Sequence, residues 1–376
     1  MKDRMSRMDR MSRMDPNAPT VPPLRRLFRR WAGVWGGLAL ISLSPLGCVK
    51  EPAVPIVIAH RGASGHRPEH TLEAYELAIQ MGADYIEPDL VPTKDGVLIV
   101  RHENELSDTT DVATRFPARK TTKVIDGETK EGYFAEDFTL AEIKELRARE
   151  RLKFRSHDYD GKFTVPTFAE VLALVARKRA DRSRPIGVYP ELKHPAYFAD
   201  LGFKQEETLL SELQKAGYSQ RTDPVFIQSF EPTCLRNLRR MTELRLVQLL
   251  DDASHRPYDL VKAGDPRTFG DLSKPAGLDD IASYADGIGV NKELILPLAP
   301  GGRTLPPTTI IADAHARKLK VHVFTFRQEV VFIPPDFDFD VLTEVRAYLQ
   351  LGVDGLFCDF PDLCLQARDE NQSTAK

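Results

Sequence analysis

His60, Glu87, Asp89, His102 and Glu191, with the cations Arg61 and Lys193, are the residues here whose types and spacing can do chemistry together. An imidazole changes charge near neutrality, so His60 and His102 can each take or give a proton. Glu87 and Asp89 stand two apart, which on a strand puts both carboxylates on one face. Such a pair repels unless a cation sits between its members. All-oxygen ligation selects a hard ion, calcium or magnesium, over zinc. Glu191, in Pro190-Glu191-Leu192-Lys193, can add a third carboxylate. The planar guanidinium of Arg61 and the point charge of Lys193 suit phosphate oxygens. Taken singly each piece is weak: a lone histidine is more often structural, and Glu191 with Lys193 can be an ordinary ion pair.

These residues fall at the ends of short apolar runs, and those runs define the architecture. Candidate strands cover 55–60, 84–89, 97–101, 186–191, 225–229, 245–250, 287–290, 321–326 and 355–358. Amphipathic helices at 71–81, 139–149, 167–179 and 308–316 lie between them. Strands alternating with helices imply a parallel sheet, here a TIM-type (β/α)8 barrel. Nine runs are one too many. Only Leu90 to Gly96 separates the second from the third, and Lys94-Asp95-Gly96 is a turn signal. A parallel neighbour needs a far longer crossover, so 97–101 should return antiparallel as a hairpin. Asp89 precedes Asp95 by six residues and His102 follows it by seven, so the hairpin should bring His102 to about the level of Asp89. His60, Asp89, His102 and Glu191 would then meet at the C-terminal face, where barrels of this class bind substrate. Residues 103–165 form a long, charged excursion, read as a small inserted subdomain beside that face.

The chain has 376 residues, 42% hydrophobic, enough for a barrel-sized core. Its net charge is −3, but residues 1–47 carry nine Lys and Arg against three Asp and Glu. The body is therefore more acidic than the whole, which argues against a nucleic-acid partner. Residues 1–48 read as an export segment. A doubled Arg4-Met5-Ser6-Arg7-Met8-Asp9 motif comes first, then the basic stretch Leu24 to Arg30, then the apolar run Trp31 to Leu46. That run is shorter than a spanning helix requires. Leu46-Gly47-Cys48 resembles a lipoprotein processing site with Cys48 as the lipidated residue, and Arg25-Arg26-Leu27-Phe28 resembles a twin-arginine signal. Cys234, Cys358 and Cys364 are too few for a disulfide framework. Being odd in number, they should include at least one buried free thiol.

In order, His60-Arg61-Gly62-Ala63-Ser64-Gly65, Pro68-Glu69-His70-Thr71-Leu72, Gly82 to Leu90, His102 and Asp137-Phe138-Thr139-Leu140 form the first half of a pattern. Tyr189 to Lys193, Tyr284 to Gly289 and Gly355 to Pro361 complete it. Over residues 55–366 this combination resembles the glycerophosphodiester phosphodiesterases, and closely their bacterial periplasmic branch. The resemblance implies a barrel domain over 54–368, with 103–165 as the branch's inserted subdomain. It implies His60 and His102 as the acid–base histidines, Glu87, Asp89 and Glu191 as metal ligands, and Arg61 and Lys193 as phosphate contacts. Calcium is the implied cofactor, magnesium the alternative. The implied partner is a small glycerophosphodiester, with a membrane met only through a lipid anchor. The implied setting is the periplasm or cell envelope.

The expected reaction is hydrolysis to an alcohol and sn-glycerol 3-phosphate, one histidine taking a hydroxyl proton and the other protonating the leaving alcohol. Two rivals stand beside it: a lipid-directed phospholipase of the sphingomyelinase D or phosphoinositide type, and a binding protein that has lost catalysis. His66, His70, His194 and His322 read as structural first, with His66 the best placed of them to touch substrate. Glu69 reads as a support for the metal or phosphate ligands.

Overall fold

The computed structural model describes residues 54–179 and 186–374. The export segment and Cys48 lie outside the described residues. The sheet strands are β1 (Ile56–His60), β2 (Tyr85–Glu87), β3 (Asp89–Pro92) and β4 (Leu98–Val100). A separate pair, β5 (Thr121–Ile125) and β6 (Glu128–Gly132), forms a hairpin. The sheet resumes with β7 (Gly187–Val188), β8 (Glu191–Leu192), β9 (Phe226–Ser229), β10 (Arg245–Leu250), β11 (Gly287–Asn291), β12 (Lys320–Phe326) and β13 (Gly355–Cys358).

Two of the expected staves are each split. Pro88 divides β2 from β3, and Tyr189-Pro190 divides β7 from β8. Proline has no N–H for the ladder, so the strand breaks where it stands. Joining the halves leaves eight parallel staves. β1 pairs with β13 on one side and β2 on the other, β3 pairs with β8, and β8 with β9. A bridge from Val188 to Val225 also ties β7 to the approach of β9. The sheet thus curls into a barrel, as the alternation of strands and helices predicts.

β4 is the expected antiparallel return: Leu90 pairs with Val100 and Pro92 with Leu98. Arg101 N donates to Asp89 O at 2.9 Å, so Arg101 stands opposite Asp89 and His102 one residue beyond.

Burial on both faces explains why the staves read as continuous apolar runs. Outward-facing Val57, Ala59, Ile86, Ile227, Leu246, Ile288, Val321 and Leu356 pack under the helices. Inward-facing Ile58, Tyr85, Tyr189, Phe226, Val247 and Phe357 fill the barrel's interior. Tyr189 Oη and His322 Nδ1 lie 2.7 Å apart in that plug, giving His322 the structural role expected of it.

Helices form where read, with one shortened. Leu72–Met81 is capped by the Thr71 side chain and closed by Gly82 at φ +104°, a conformation glycine adopts without penalty. The expected 139–149 helix spans only Leu140–Glu145. A capping box at Thr139 and Glu142 starts it, but Leu146 turns extended (φ −71°, ψ 155°). Arg147 and Ala148 then bridge to Thr164 and Thr110 instead of continuing the helix. Residues 103–165 contribute Leu106, Val112, Phe138, Ile143 and Leu146 to a second core that includes Val91 of β3 and Ile99 of β4. The excursion is therefore rooted on the hairpin that carries His102.

One cysteine is the buried free thiol expected, and the other two form a bond that the spacing does not suggest. Cys358 at the end of β13 is disulfide-bonded to Cys364, six residues on in the following helix, while Cys234 is the buried free thiol. A pair across a strand–turn–helix junction leaves no sequence spacing typical of a framework. Closing so short a loop contributes about 2 kcal/mol. Cys358→Ser with Cys364→Ser should therefore lower the thermal midpoint by a few degrees, measured by calorimetry against the untreated protein. No shift would mean the bond adds nothing to stability. No helix among the described residues is long and apolar enough to cross a membrane.

Candidate active site

Neighbouring staves set the carboxylates. His60 is in register with Glu87 across β1 and β2, and Asp89 with Glu191 across β3 and β8. Oxygens of Glu87, Asp89 and Glu191 all lie within 4.8 Å of one another, and all three residues are buried. Burial, reinforced by Asp89 and Glu191, pushes the Glu87 carboxyl well above the usual range. Burial also pushes Glu191 up to about 8, against the opposing pull of Lys193. Asp89 feels the same burial, yet His70 and Lys193 hold its carboxyl well below the ordinary value. Its Oδ1 is buried without a hydrogen-bond partner. Three crowded carboxylates and a spare buried oxygen fit a hard divalent cation. This triad can hold one.

The two histidines flank the triad in matching fashion. His60 has Asp359 Oδ1 at 2.6 Å from Nδ1 and accepts from Arg61 Nε at Nε2, 3.2 Å. His102 has Glu103 Oε1 at 3.1 Å from Nδ1 and Lys193 Nζ at 3.3 Å from Nε2. Arginine and lysine can only donate, and an ionised carboxylate can only accept. Both contacts of each ring therefore require the same tautomer: Nδ1 carries the proton and the Nε2 lone pair is directed away from the carboxylate. Burial and Arg61 bring His60 down to about 4, and burial, Arg61 and Lys193 bring His102 down to about 3. Both rings are neutral at neutral pH.

Arg61 sits at φ +59°, and its backbone N–H donates to Glu87 Oε2 at 2.8 Å. Its guanidinium reaches Glu69 at 3.2 Å and lies 3.6 Å from Asp89 Oδ2. Lys193 Nζ donates to Glu191 Oε1 at 2.8 Å. The ion pair allowed for by the sequence is thus present, and Lys193 touches His102 as well. Every site residue read from the sequence, Cys48 apart, comes to this one end of the barrel.

Other residues take part beyond those the sequence marks. His70, read as structural, bonds Asp89 Oδ2 through Nε2 at 2.9 Å and Tyr75 Oη through Nδ1 at 2.7 Å. His66, ranked above it, instead meets Asp362 at 3.1 Å near the surface. Glu69 supports Arg61 as expected, and takes Arg151 Nε at 2.8 Å from the excursion. Gln228 on β9 had no signal of its own. Its inward place in the β8–β9 register, opposite Glu191, was the only available clue. Its Nε2 donates to Glu87 Oε1 at 3.0 Å. Such outer contacts orient metal ligands and typically change affinity by roughly 10- to 100-fold. Gln228→Leu should therefore weaken cation binding about tenfold by titration calorimetry, with turnover restored at high cation concentration. Unchanged affinity would remove Gln228 from the site.

A barrel presenting a carboxylate triad, two held imidazoles and two buried cations at one end is built to handle a phosphate ester. Residues 60–363 match the glycerophosphoryl diester phosphodiesterase family. A glycerophosphodiester phosphodiesterase of Arabidopsis thaliana is 40% identical over 322 residues, covering 81% of this chain and 84% of that protein. One from Haemophilus influenzae is 31% identical over 366 residues, covering 88% and 94%. A phosphodiesterase of Oleispira antarctica, solved with the product sn-glycerol 3-phosphate, shares the fold at TM-score 0.55 and 21% identity, over 84% of this chain and 97% of that one. The chain belongs to the glycerophosphoryl diester phosphodiesterase family and is an enzyme of that class, a phosphoric diester hydrolase.

Proposed function

We propose that the enzyme converts glycerophosphodiesters to an alcohol and sn-glycerol 3-phosphate, with a cation held by Glu87, Asp89 and Glu191 and protons moved by His60 and His102. One observation carries this reading: the triad lies between two imidazoles, each tied to a carboxylate at Nδ1 and a cation at Nε2. The product bound to the Oleispira protein supports a small glycerol phosphate as ligand.

A calcium or magnesium ion held by Glu87, Asp89 and Glu191 would supply fixed positive charge to polarise the phosphate. Arg61 and Lys193 add donors to the same oxygens and orient the diester. An imidazole with a bare Nε2 takes the proton of the glycerol hydroxyl adjacent to the phosphate. The anionic diester raises the proton affinity of the imidazoles it touches, so the second can carry the proton that the leaving alcohol needs. Attack by the neighbouring hydroxyl gives a cyclic phosphate, and water opens it with the two histidines exchanging roles.

We further assign the enzyme to the periplasmic, calcium-dependent branch, exported by residues 1–48 and anchored at Cys48. The relatives span a plant and a bacterium, so this assignment rests on the export segment and the 103–165 excursion. Fractionation of the wild type and Cys48→Ser tests it: a variant that stays with the membrane ends the anchor.

The activity is tested on EDTA-treated protein with glycerophosphocholine, glycerophosphoethanolamine and a lysolipid, restoring calcium and magnesium separately. Release of glycerol 3-phosphate that depends on added cation is expected. Turnover of the lysolipid alone would favour the lipid-directed rival, and turnover that EDTA leaves unchanged would remove the cation from the reading.

A further inference from the structure

The excursion over 103–165 does more than border the barrel mouth. Its last stretch returns across the C-terminal end and drives Arg155 into the site's wall, with only 5% of its side chain exposed. There its Nη2 donates to Asp359 Oδ2 at 2.6 Å, its Nε to Glu329 Oε1 at 2.5 Å, and its Nη1 to the Ser64 carbonyl at 3.1 Å. Asp359 follows β13, Glu329 follows β12 and Ser64 follows β1. One guanidinium therefore pins three loops from three adjacent staves. Asp359 is 3% exposed, and its other oxygen holds His60 Nδ1.

We propose that Arg155 is a positioning residue for His60, acting through Asp359, so that the excursion sets the orientation of a proton-moving imidazole in the barrel. The argument is geometric. Asp359 has two oxygens and three tight partners: Oδ1 faces His60, and Oδ2 takes both Arg155 and Arg327 Nε, the latter at 2.8 Å. Arg327 comes from the loop after β12, and by itself fixes one direction of approach. Arg155 approaches from the excursion and also grips Ser64, whose hydroxyl donates to the His60 carbonyl at 2.8 Å. The ring of His60 and the backbone that carries it are thus referred to the same guanidinium. A bidentate or forked arrangement of this kind is specific to arginine geometry. The other histidine has a looser counterpart: Lys130 of β6 meets Glu103 at 3.3 Å, but both side chains are about a third exposed, where such pairs contribute little.

The proposal rests on His60 moving protons as argued above, so its test needs one readout that is independent of turnover. The variants are Arg155→Gln and Arg155→Lys in the calcium-loaded enzyme, assayed on glycerophosphocholine. Arg155→Gln should lower kcat about tenfold with KM within about twofold of wild type, because the substrate's own contacts are untouched. Arg155→Lys, keeping a charge on Asp359, should recover part of that loss. In the free protein, His60 should be protonated at Nδ1 in the wild type and in Arg155→Gln alike, because Arg61 still donates to Nε2, but its imidazole 15N resonances should shift and broaden in Arg155→Gln as the ring becomes less fixed. Wild-type kcat together with an unchanged His60 signal in Arg155→Gln would overturn the proposal. So would equal kcat losses in both variants that track their loss of thermal stability. If the His60 signal shifts and broadens as expected while His60→Ala keeps its activity, the positioning stands and the assigned role of His60 falls.

Discussion

His60→Ala and His102→Ala should each lower kcat by about 10²-fold or more, with cation affinity unchanged. The separation of effects follows from where the rings sit. Neither imidazole belongs to the carboxylate triad, so the cation keeps its three ligands in both variants. What each variant loses is a bare Nε2 poised beside a donor cation. The measurement is a Michaelis–Menten series on glycerophosphocholine at saturating calcium, with calcium titration calorimetry on the same preparations. Removing both rings should cost little more than removing one, since groups that act in sequence on one proton inventory are not additive. If both single variants kept near-full turnover, the acid–base assignment would be wrong.

Asp89→Asn should abolish calcium binding in the millimolar range and lower kcat/KM by roughly 10²- to 10³-fold, the several kcal/mol that a catalytic cation supplies. Asp89 is the centre of the triad: it is in register with Glu191, shares a face with Glu87 and is fully buried. The apo protein should lose some stability as well, because the ionised Asp89 carboxylate is held by His70 and Lys193 and the neutral amide gives up both attractions. The wild type should gain about 2.7 kcal/mol of stability at a calcium concentration 100 times its dissociation constant, and the variant none. Thermal unfolding with and without calcium checks both halves. A variant that calcium still stabilises to the wild-type extent would place the cation elsewhere.

Much of this site is legible in the sequence because its parts obey local rules. Glu87 and Asp89 converge because strand side chains alternate, and Pro88 between them breaks the strand without moving them apart. His102 reaches the triad because a turn at Lys94-Asp95-Gly96 reverses the chain, a matter of counting residues. What stayed illegible depends on barrel closure. Asp359, in the Gly355 to Pro361 segment, reads as a strand-end residue near the site, but it lies 299 residues from the histidine it holds, so the pairing itself is not written in the sequence. Gln228 looks like any polar residue on a strand until its inward face is known. Arg155 sits in a charged stretch without periodicity, so its burial has no sequence signature. The split of two staves at Pro88 and Pro190 was written in the residues themselves, but an apolar run with one proline reads equally well as one strand. The disulfide joins residues too close in sequence to suggest a framework.

Ring closure itself has a temporal consequence. The first stave pairs with the last, Ala59 alongside Cys358, and this pairing sets His60 beside Asp359. A nascent chain that has emerged only through residue 300 already contains both histidines, the whole triad, Arg61 and Lys193, yet has no anchor for the first imidazole. The onset of activity during synthesis or refolding is then a clock for the final stave's arrival. Activity regained on refolding should therefore appear only as the last stave pairs with the first.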